Sequence, residues 1–302
     1  MTKLSDQGVS VLMPVRNGSN TVGPAIRSTL KAMSVNDELL VMDDASTDET
    51  RDVIRDFGDS RIRIMYNSEG QGVAGSLNSL LDGASRPTVA RMDADDLMLP
   101  WRLRVQKLSL DFGLDAVFST RLNFGSSVKN FKPQVQDRIM PREAPIMFAV
   151  FNPVAHSSMM MRRDVLQSLG GYVTGPAEDY DLWMRLLGAG HCLGQTRRPG
   201  ILYRLHADQV TKGKNWLRSY RVNEGLKNAH DSLMLQMGWQ GGSCWHLVSE
   251  LESPRNTPAT AMATPFARFV TNKLAELSPL NRLIVRRRLG RLLSPQPHNR
   301  DR

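Results

Sequence analysis

Three carboxylates within four residues, Asp93, Asp95 and Asp96, follow the apolar-biased run Thr88–Met92. Such a run reads as a buried strand, so the acids fall at its C-terminal end. Carboxylates crowded this closely repel one another, and a cation between them favours their ionised forms. Oxygen-only ligands suit Mg2+ or Mn2+, and Mg2+ is typically held by one or two carboxylates together with substrate phosphates. The segment points to chemistry on a metal-bound phosphate compound. The bland alternative is a solvated acidic turn.

The elements that position these acids are legible in the periodicity. Ser10–Pro14, Leu39–Met42, Arg61–Tyr66 and Thr88–Met92 read as strands. Between them Val22, Ile26, Thr29, Leu30 and Met33 recur at helical spacing, as do Val73, Leu77, Leu80, Leu81 and Ala84. Ser46-Thr47-Asp48-Glu49 fits a capping box for a helix that buries Val53, Ile54 and Phe57. Pro100 is placed to start a helix on which Trp101, Val105, Leu108 and Phe112 share a face. Strands alternating with helices imply a mostly parallel sheet covered on both sides. Ligands of such sheets bind outside the carboxyl ends of the strands. Three polar clusters sit at those ends: Pro14–Gly18, Asp43–Ser46 and Asp93–Asp96.

Beyond residue 115 the pattern loosens. Ala116–Thr120 and Ser157–Met161 read as strands, Asp164–Leu169 as a helix capped by Gly170-Gly171, and 126–147 as an irregular cover. Glu178–Leu187 reads as a helix that begins at its acidic end, which the helix dipole alone would favour. Asn215–Met237 reads as helical, and Gly238–Pro265, rich in Gly, Ser, Thr and Pro, as a linker.

Composition narrows the class. A chain of 302 residues with 41% hydrophobic content can bury a substantial core. Two distant cysteines, Cys192 and Cys244, make neither a disulfide scaffold nor a metal-ligand spacing. The first eight residues lack the pattern of a signal peptide, and no apolar run approaches 18 residues. The net charge of +9 is concentrated in residues 281–302, which hold seven arginines against one acid. That distribution argues against a nucleic-acid groove through the body.

Four stretches, in order, resemble the family 2 glycosyltransferases, inverting and nucleotide-sugar-dependent enzymes of the GT-A fold. They are Val9–Asn17, Val41–Thr50, Met92–Leu97 with Pro100 and Arg102-Leu103, and Ala177–Leu186. The resemblance covers about residues 8–212. It implies an α/β, Rossmann-like, mostly parallel sheet flanked by helices over 1–212, with a nucleotide-sugar half (1–118) and an acceptor half (119–212). A C-terminal helical extension with linker and basic tail would fill 213–302. It further implies that Pro14, Val15 and Arg16 line the nucleotide base pocket and that Asp44 accepts a hydrogen bond from the base, usually uracil. Asp93 would approach the ribose, and Asp95 would ligate a divalent cation, Mn2+ or Mg2+, that bridges the diphosphate. Gly72 and Asn78 match a segment near the donor sugar and phosphates. Asp179 would be the general base, with Glu178 supporting the acceptor site. His156 matches a histidine near the acceptor cleft, and His206 one near the metal.

The resemblance thus implies a donor such as a UDP-sugar and a saccharide or lipid-linked saccharide acceptor, as in cell-surface polysaccharide synthesis in the cytoplasm. Basic residues in Asn281–Leu293 would attract an anionic membrane surface, although its apolar positions do not share one helical face. Two other readings compete. A nucleotidyltransferase needs a longer, Gly-rich phosphate loop than Arg16–Asn20. A non-catalytic module on a degenerate GT-A fold would be favoured by loss of Asp95 or Asp179, and both acids are present.

Overall fold

The computed structural model describes residues 3–125, 132–133, 138–205, 214–251 and 263–293. The first half alternates strand and helix: β1 (Val9–Val15), α1 (Val22–Ala32), β2 (Glu38–Asp44), α2 (Thr50–Arg55), β3 (Ile62–Asn67), α3 (Gly72–Gly83) and β4 (Thr88–Arg91). Then come β5 (Leu97–Met98), α4 (Arg102–Asp111), β6 (Ala116–Phe124), β7 (Lys132–Pro133), α5 (Ala144–Phe148), β8 (Met159–Arg162), α6 (Arg163–Ser168), α7 (Glu178–Gly188) and β9 (Leu193–Arg204). Five helices follow: α8 (Lys214–Val222), α9 (Glu224–Gln236), α10 (Trp245–Leu251), α11 (Ala263–Lys273) and α12 (Pro279–Leu293).

One sheet runs in the order β3-β2-β1-β4-β8-β6-β9-β5, with β7 added to β6. All seven residues of β1 and of β2 are buried, as expected of strands covered on both faces. Their side chains alternate. Leu12, Leu40 and Met42 join the core under α3 and α7, while Val11, Met13, Leu39 and Val41 join the one under α1 and α4. The expected parallel pairing holds for β3, β2, β1 and β4. Beyond β4 the sheet is mixed, because β8 runs antiparallel to both β4 and β6. The strand–helix alternation that implied parallel pairing ends at α4.

Several local readings change. The face buried by α4 is Arg102, Leu103, Gln106, Lys107 and Leu110, while Leu108 and Phe112 are exposed. The buried guanidinium of Arg102 donates to the carbonyls of Arg91 (2.8 Å) and Met159 (3.0 Å), and Gln106 donates to those of Val117 and Ser158. Carbonyl groups where β4, β6 and β8 meet need donors, and that need outweighs apolar periodicity. The Ser46–Glu49 capping box does not form. Asp48 instead accepts from the backbone N–H groups of Ser19 and Thr50. The 215–237 helix is two helices broken at Asn223, whose side chain caps α9 through Leu226 N–H. The 126–147 cover ends in the buried helix α5.

The described part of 238–265 is not a bare linker, since it contains α10 with Trp245, Leu247 and Val248 buried. The basic end is likewise a docked helix. Val285 and Leu289 of α12 are buried, and Asn281 donates to Glu143 and to the carbonyl of Arg138.

Candidate active site

The adjacent parallel strands β1, β2 and β4 end side by side, and the start of α7 lies close enough for the Asp93 charge after β4 to act on Glu178 and Asp179. The loops after β1 and β2 are laced together: Asn17 N–H donates to Ser46 Oγ, and Asn17 Oδ1 accepts from Thr47 N–H. Asn17, Ala45 and Ala177 all have left-handed backbones, with φ of 51°, 55° and 55°. Non-glycine residues in this region store strain, which collects at functional sites. Here each one turns the chain into a cluster singled out by the sequence.

Pro14 and Val15 are buried at the end of β1, and Arg16 emerges from it. A side chain at Gly70 would collide with the Arg16 guanidinium, so Arg16 lies across the 70–72 loop. Asp44 sits beneath the same loop. It accepts from Gln71 N–H (2.8 Å), Gly72 N–H (2.9 Å) and Asn67 Nδ2 (2.6 Å), and so caps α3. Burial raises its pKa, but these donors outweigh that and hold the carboxyl below the usual aspartate value. Pro14, Val15, Arg16, Asp44 and Gly72 are thus brought together. Asn78 is not among them. It lies farther along α3 and clamps Tyr172, accepting from its N–H (2.9 Å) and donating to its carbonyl (2.8 Å).

Ligand oxygens of Asp93, Asp95 and Asp96 lie within 4.8 Å of one another. Asp96 is buried and fully engaged, accepting from Ser157 Oγ (2.7 Å) and Arg204 N–H (2.8 Å). Asp93 pairs with the buried Arg91 at 2.6 Å. Burial and then Asp93 push the Asp96 carboxyl up to about 8, and burial also raises Asp93. An all-oxygen set in which burial and mutual charge oppose the ionisation of Asp93 and Asp96 fits a hard divalent cation, which would relieve that repulsion. The guanidinium of Arg121 stacks on Tyr203, and Arg204 donates to the Asp95 carbonyl, so further cations ring the cluster.

Close to it, Glu178 and Asp179 open α7. Asp179 accepts from Asn152 Nδ2 (2.9 Å) and Tyr180 N–H (2.8 Å). Burial raises both acids, and with the charge of Asp179 it pushes Glu178 up to about 7. His156 Nδ1 lies 3.8 Å from Glu178, and its Nε2 lies 3.1 Å from Tyr172 Oη. Burial and the nearby Arg91 hold this imidazole well below its ordinary pKa, hence neutral. His206 lies outside the described residues. Arg91, Arg121, Asn152, Ser157 and Tyr172 carry no local signal that would assign them to a site. Arg91 adjoins the Asp93–Asp96 motif, and Asn152 and Ser157 flank His156.

Residues 10–170 match the family described as glycosyl transferase family 2. The chain belongs to that family. This family 2 glycosyltransferase is 32% identical over 194 residues to the putative glycosyltransferase EpsE of Bacillus subtilis, covering 60% of this chain and 67% of that one. It is 26% identical over 250 residues to WfaP of Escherichia coli, a UDP-Glc:alpha-D-GlcNAc-diphosphoundecaprenol beta-1,3-glucosyltransferase, covering 75% of this chain and 90% of that one. Its fold is that of S. aureus TarS in complex with UDP-GlcNAc, at TM-score 0.62, 13% identity and coverage of 94% and 88% of the two chains. The fold of this family 2 glycosyltransferase is therefore GT-A, and its curated relatives include enzymes of lipid-linked sugar and polysaccharide biosynthesis. Among its described residues no helix is long and apolar enough to cross a membrane.

Proposed function

We propose that the enzyme transfers a sugar, with inversion, from a UDP-sugar to a hydroxyl of a lipid-linked saccharide. The observation that supports this best is the nearness of two acid groups: Asp93, Asp95 and Asp96 after β4, and Glu178 with Asp179 at the head of α7, close enough for the Asp93 charge to raise both of the latter. The first suits a diphosphate with its cation, the second an acceptor hydroxyl.

In this reading Pro14, Val15 and Arg16 line the base pocket, and Asp44 serves it through the 70–72 loop that it holds. Asp93 would approach the ribose, and Asp95 would hold a Mg2+ or Mn2+ ion, which when bound stabilises negative charge on the departing diphosphate as a Lewis acid. Asp96, tied to Ser157 and Arg204, fixes the loop that carries both. A hydroxyl is a poor nucleophile until its proton leaves. Asp179 accepts that proton as the acceptor oxygen attacks the anomeric carbon from the face opposite the diphosphate. Burial raises both carboxyls, Glu178 to about 7, and a raised carboxyl is a stronger proton acceptor than an ordinary aspartate or glutamate. The lipid-linked acceptor is suggested by WfaP, and the exposed Arg286 and Arg287 of α12 offer an anionic membrane a cationic face. That face would seat the enzyme at the cytoplasmic surface of the membrane.

Calorimetric titration with UDP, GDP, TDP and CDP, each with and without Mn2+, tests the donor site. Metal-dependent binding of UDP alone is the expected result. Binding of another nucleotide overturns the UDP assignment, and no binding by folded protein overturns the transferase reading of the cleft. Asp179→Asn should abolish transfer while leaving UDP affinity within about twofold.

A further inference from the structure

A line of contacts runs from the donor side of the cleft to its acceptor side, and no local motif announces it. Asn78 of α3 grips both backbone polar groups of Tyr172, at 2.8 and 2.9 Å. A side chain at Gly171 would strike Asn78 Oδ1, so glycine there permits the clamp. Tyr172 is buried, its hydroxyl lies 3.1 Å from His156 Nε2, and the two rings pack at 5.3 Å. Trp183 of α7 closes a second side of the imidazole, edge-on at 5.8 Å. The third side, Nδ1, faces Glu178 Oε1 at 3.8 Å.

We propose that Tyr172 is a positioning residue for Glu178, acting through His156 and anchored by Asn78. Burial pushes the Tyr172 phenol well above its ordinary value, far from ionising, so its hydroxyl is a donor. A neutral imidazole that accepts this bond at Nε2 carries its proton on Nδ1. That N–H is aimed at Glu178, and a small approach or one bridging water completes the bond. The tautomer selected by Tyr172 therefore presents a donor to Glu178 and holds it beside Asp179. Because α3 is capped at one end by the loop over Asp44 and bears Asn78 about 9 Å farther along its axis, the two sides of the cleft share one rigid element. This inference rests on the reading of Glu178 and Asp179 as the acceptor-side acids.

Tyr172→Phe removes the hydroxyl and keeps the ring packing, so the variant should fold. Its kcat should fall about tenfold, the scale of one lost hydrogen bond, with UDP affinity by calorimetry unchanged. His156→Ala should lose at least as much, and the double variant no more than His156→Ala alone, since both act through one line. Losses that multiply in the double variant, or a Tyr172→Phe enzyme with wild-type kcat and acceptor KM, overturn the proposal. Asp179→Asn separates the two failures. If it is inactive while Tyr172→Phe is normal, only the positioning role is wrong. If Asp179→Asn is itself active, the acceptor-side reading falls and the positioning role with it.

Discussion

Replacing Asp44 by alanine tests what this acid does at the donor end of the cleft. Its three donors divide into two kinds. Gln71 and Gly72 lie in an exposed loop, so water can replace the carboxylate at their N–H groups. What is lost there is a helix N-cap, about 1 kcal/mol. Asn67 is buried and keeps a second partner, Ser76 Oγ at 3.2 Å, so losing its 2.6 Å bond to a charged acceptor costs about 1–2 kcal/mol. The expected destabilisation is about 2–3 kcal/mol, a Tm decrease of about 3–5 °C for a chain of this size. Asp44→Asn keeps one acceptor oxygen and should lose about half as much. The effect has a defined pH dependence. The folded pKa is depressed, so this stabilisation is fully present above the ordinary aspartate value and is lost as pH falls below it. The Tm difference between wild type and Asp44→Ala should be constant from pH 5 to 8 and shrink in stronger acid. Thermal unfolding followed by circular dichroism, with UDP calorimetry on the same samples, decides the matter. An unchanged Tm with a hundredfold loss of UDP affinity would refute the capping argument and make Asp44 a direct base contact.

Other consequences can be measured on the same protein. Between pH 6.5 and 8 the metal-free enzyme should lose stability as pH rises. Asp96 and Glu178 have folded pKa values raised to about 8 and about 7, so the folded state binds more protons there than the unfolded chain. His156 and His230, whose folded values are depressed, act with the opposite sign, but their effect fades as pH rises above their ordinary value of 6.5. Adding Mn2+ should flatten the decline, and a Tm that rises over this interval without metal contradicts the assignment. Asp95→Ala should remove the Mn2+ dependence of UDP binding, and equal UDP affinity with and without metal in the wild type would sink that claim. Arg286→Glu with Arg287→Glu should weaken binding to vesicles of anionic phosphatidylglycerol by tenfold or more, at about 1 kcal/mol per basic group near the surface. Binding to neutral phosphatidylcholine vesicles should be weak for both proteins, and equal sedimentation of the variant with anionic vesicles refutes the membrane face.

Much of the scaffold is local and therefore written in the chain. β1, β2 and β4 are short apolar runs because both faces of a central parallel strand are buried, and the polar residues after them mark where each strand leaves the sheet. Pro14, Asp44, Asp93 and Asp95 were legible for that reason, as were Glu178 and Asp179 at the start of an amphipathic helix. The packing of α4 was not. Its buried face carries Arg102 and Gln106 because carbonyls contributed by β4, β6 and β8, far apart in sequence, require donors. Asn78 belongs by sequence to the loop segment over the donor site. The helix turn that follows swings it onto Tyr172, 94 residues away.

The residues after 213 make the same contrast. Their composition suggested a linker and a charged tail. The fold lays α9 along α7 through Leu226, Ala229, Leu233 and Met234, and inserts Trp245 among Tyr180, Tyr220 and His230. The helix that carries Glu178 and Asp179 is thereby enclosed on the side away from the sheet. Which residue types stand at the strand ends, and in what order, is read from local pattern, because strand and helix periods and the chemistry of acids are local properties. Which of them meet, and what holds each in place, comes from folding, because those partners are set by burial and hydrogen-bond completion between segments with no shared local pattern.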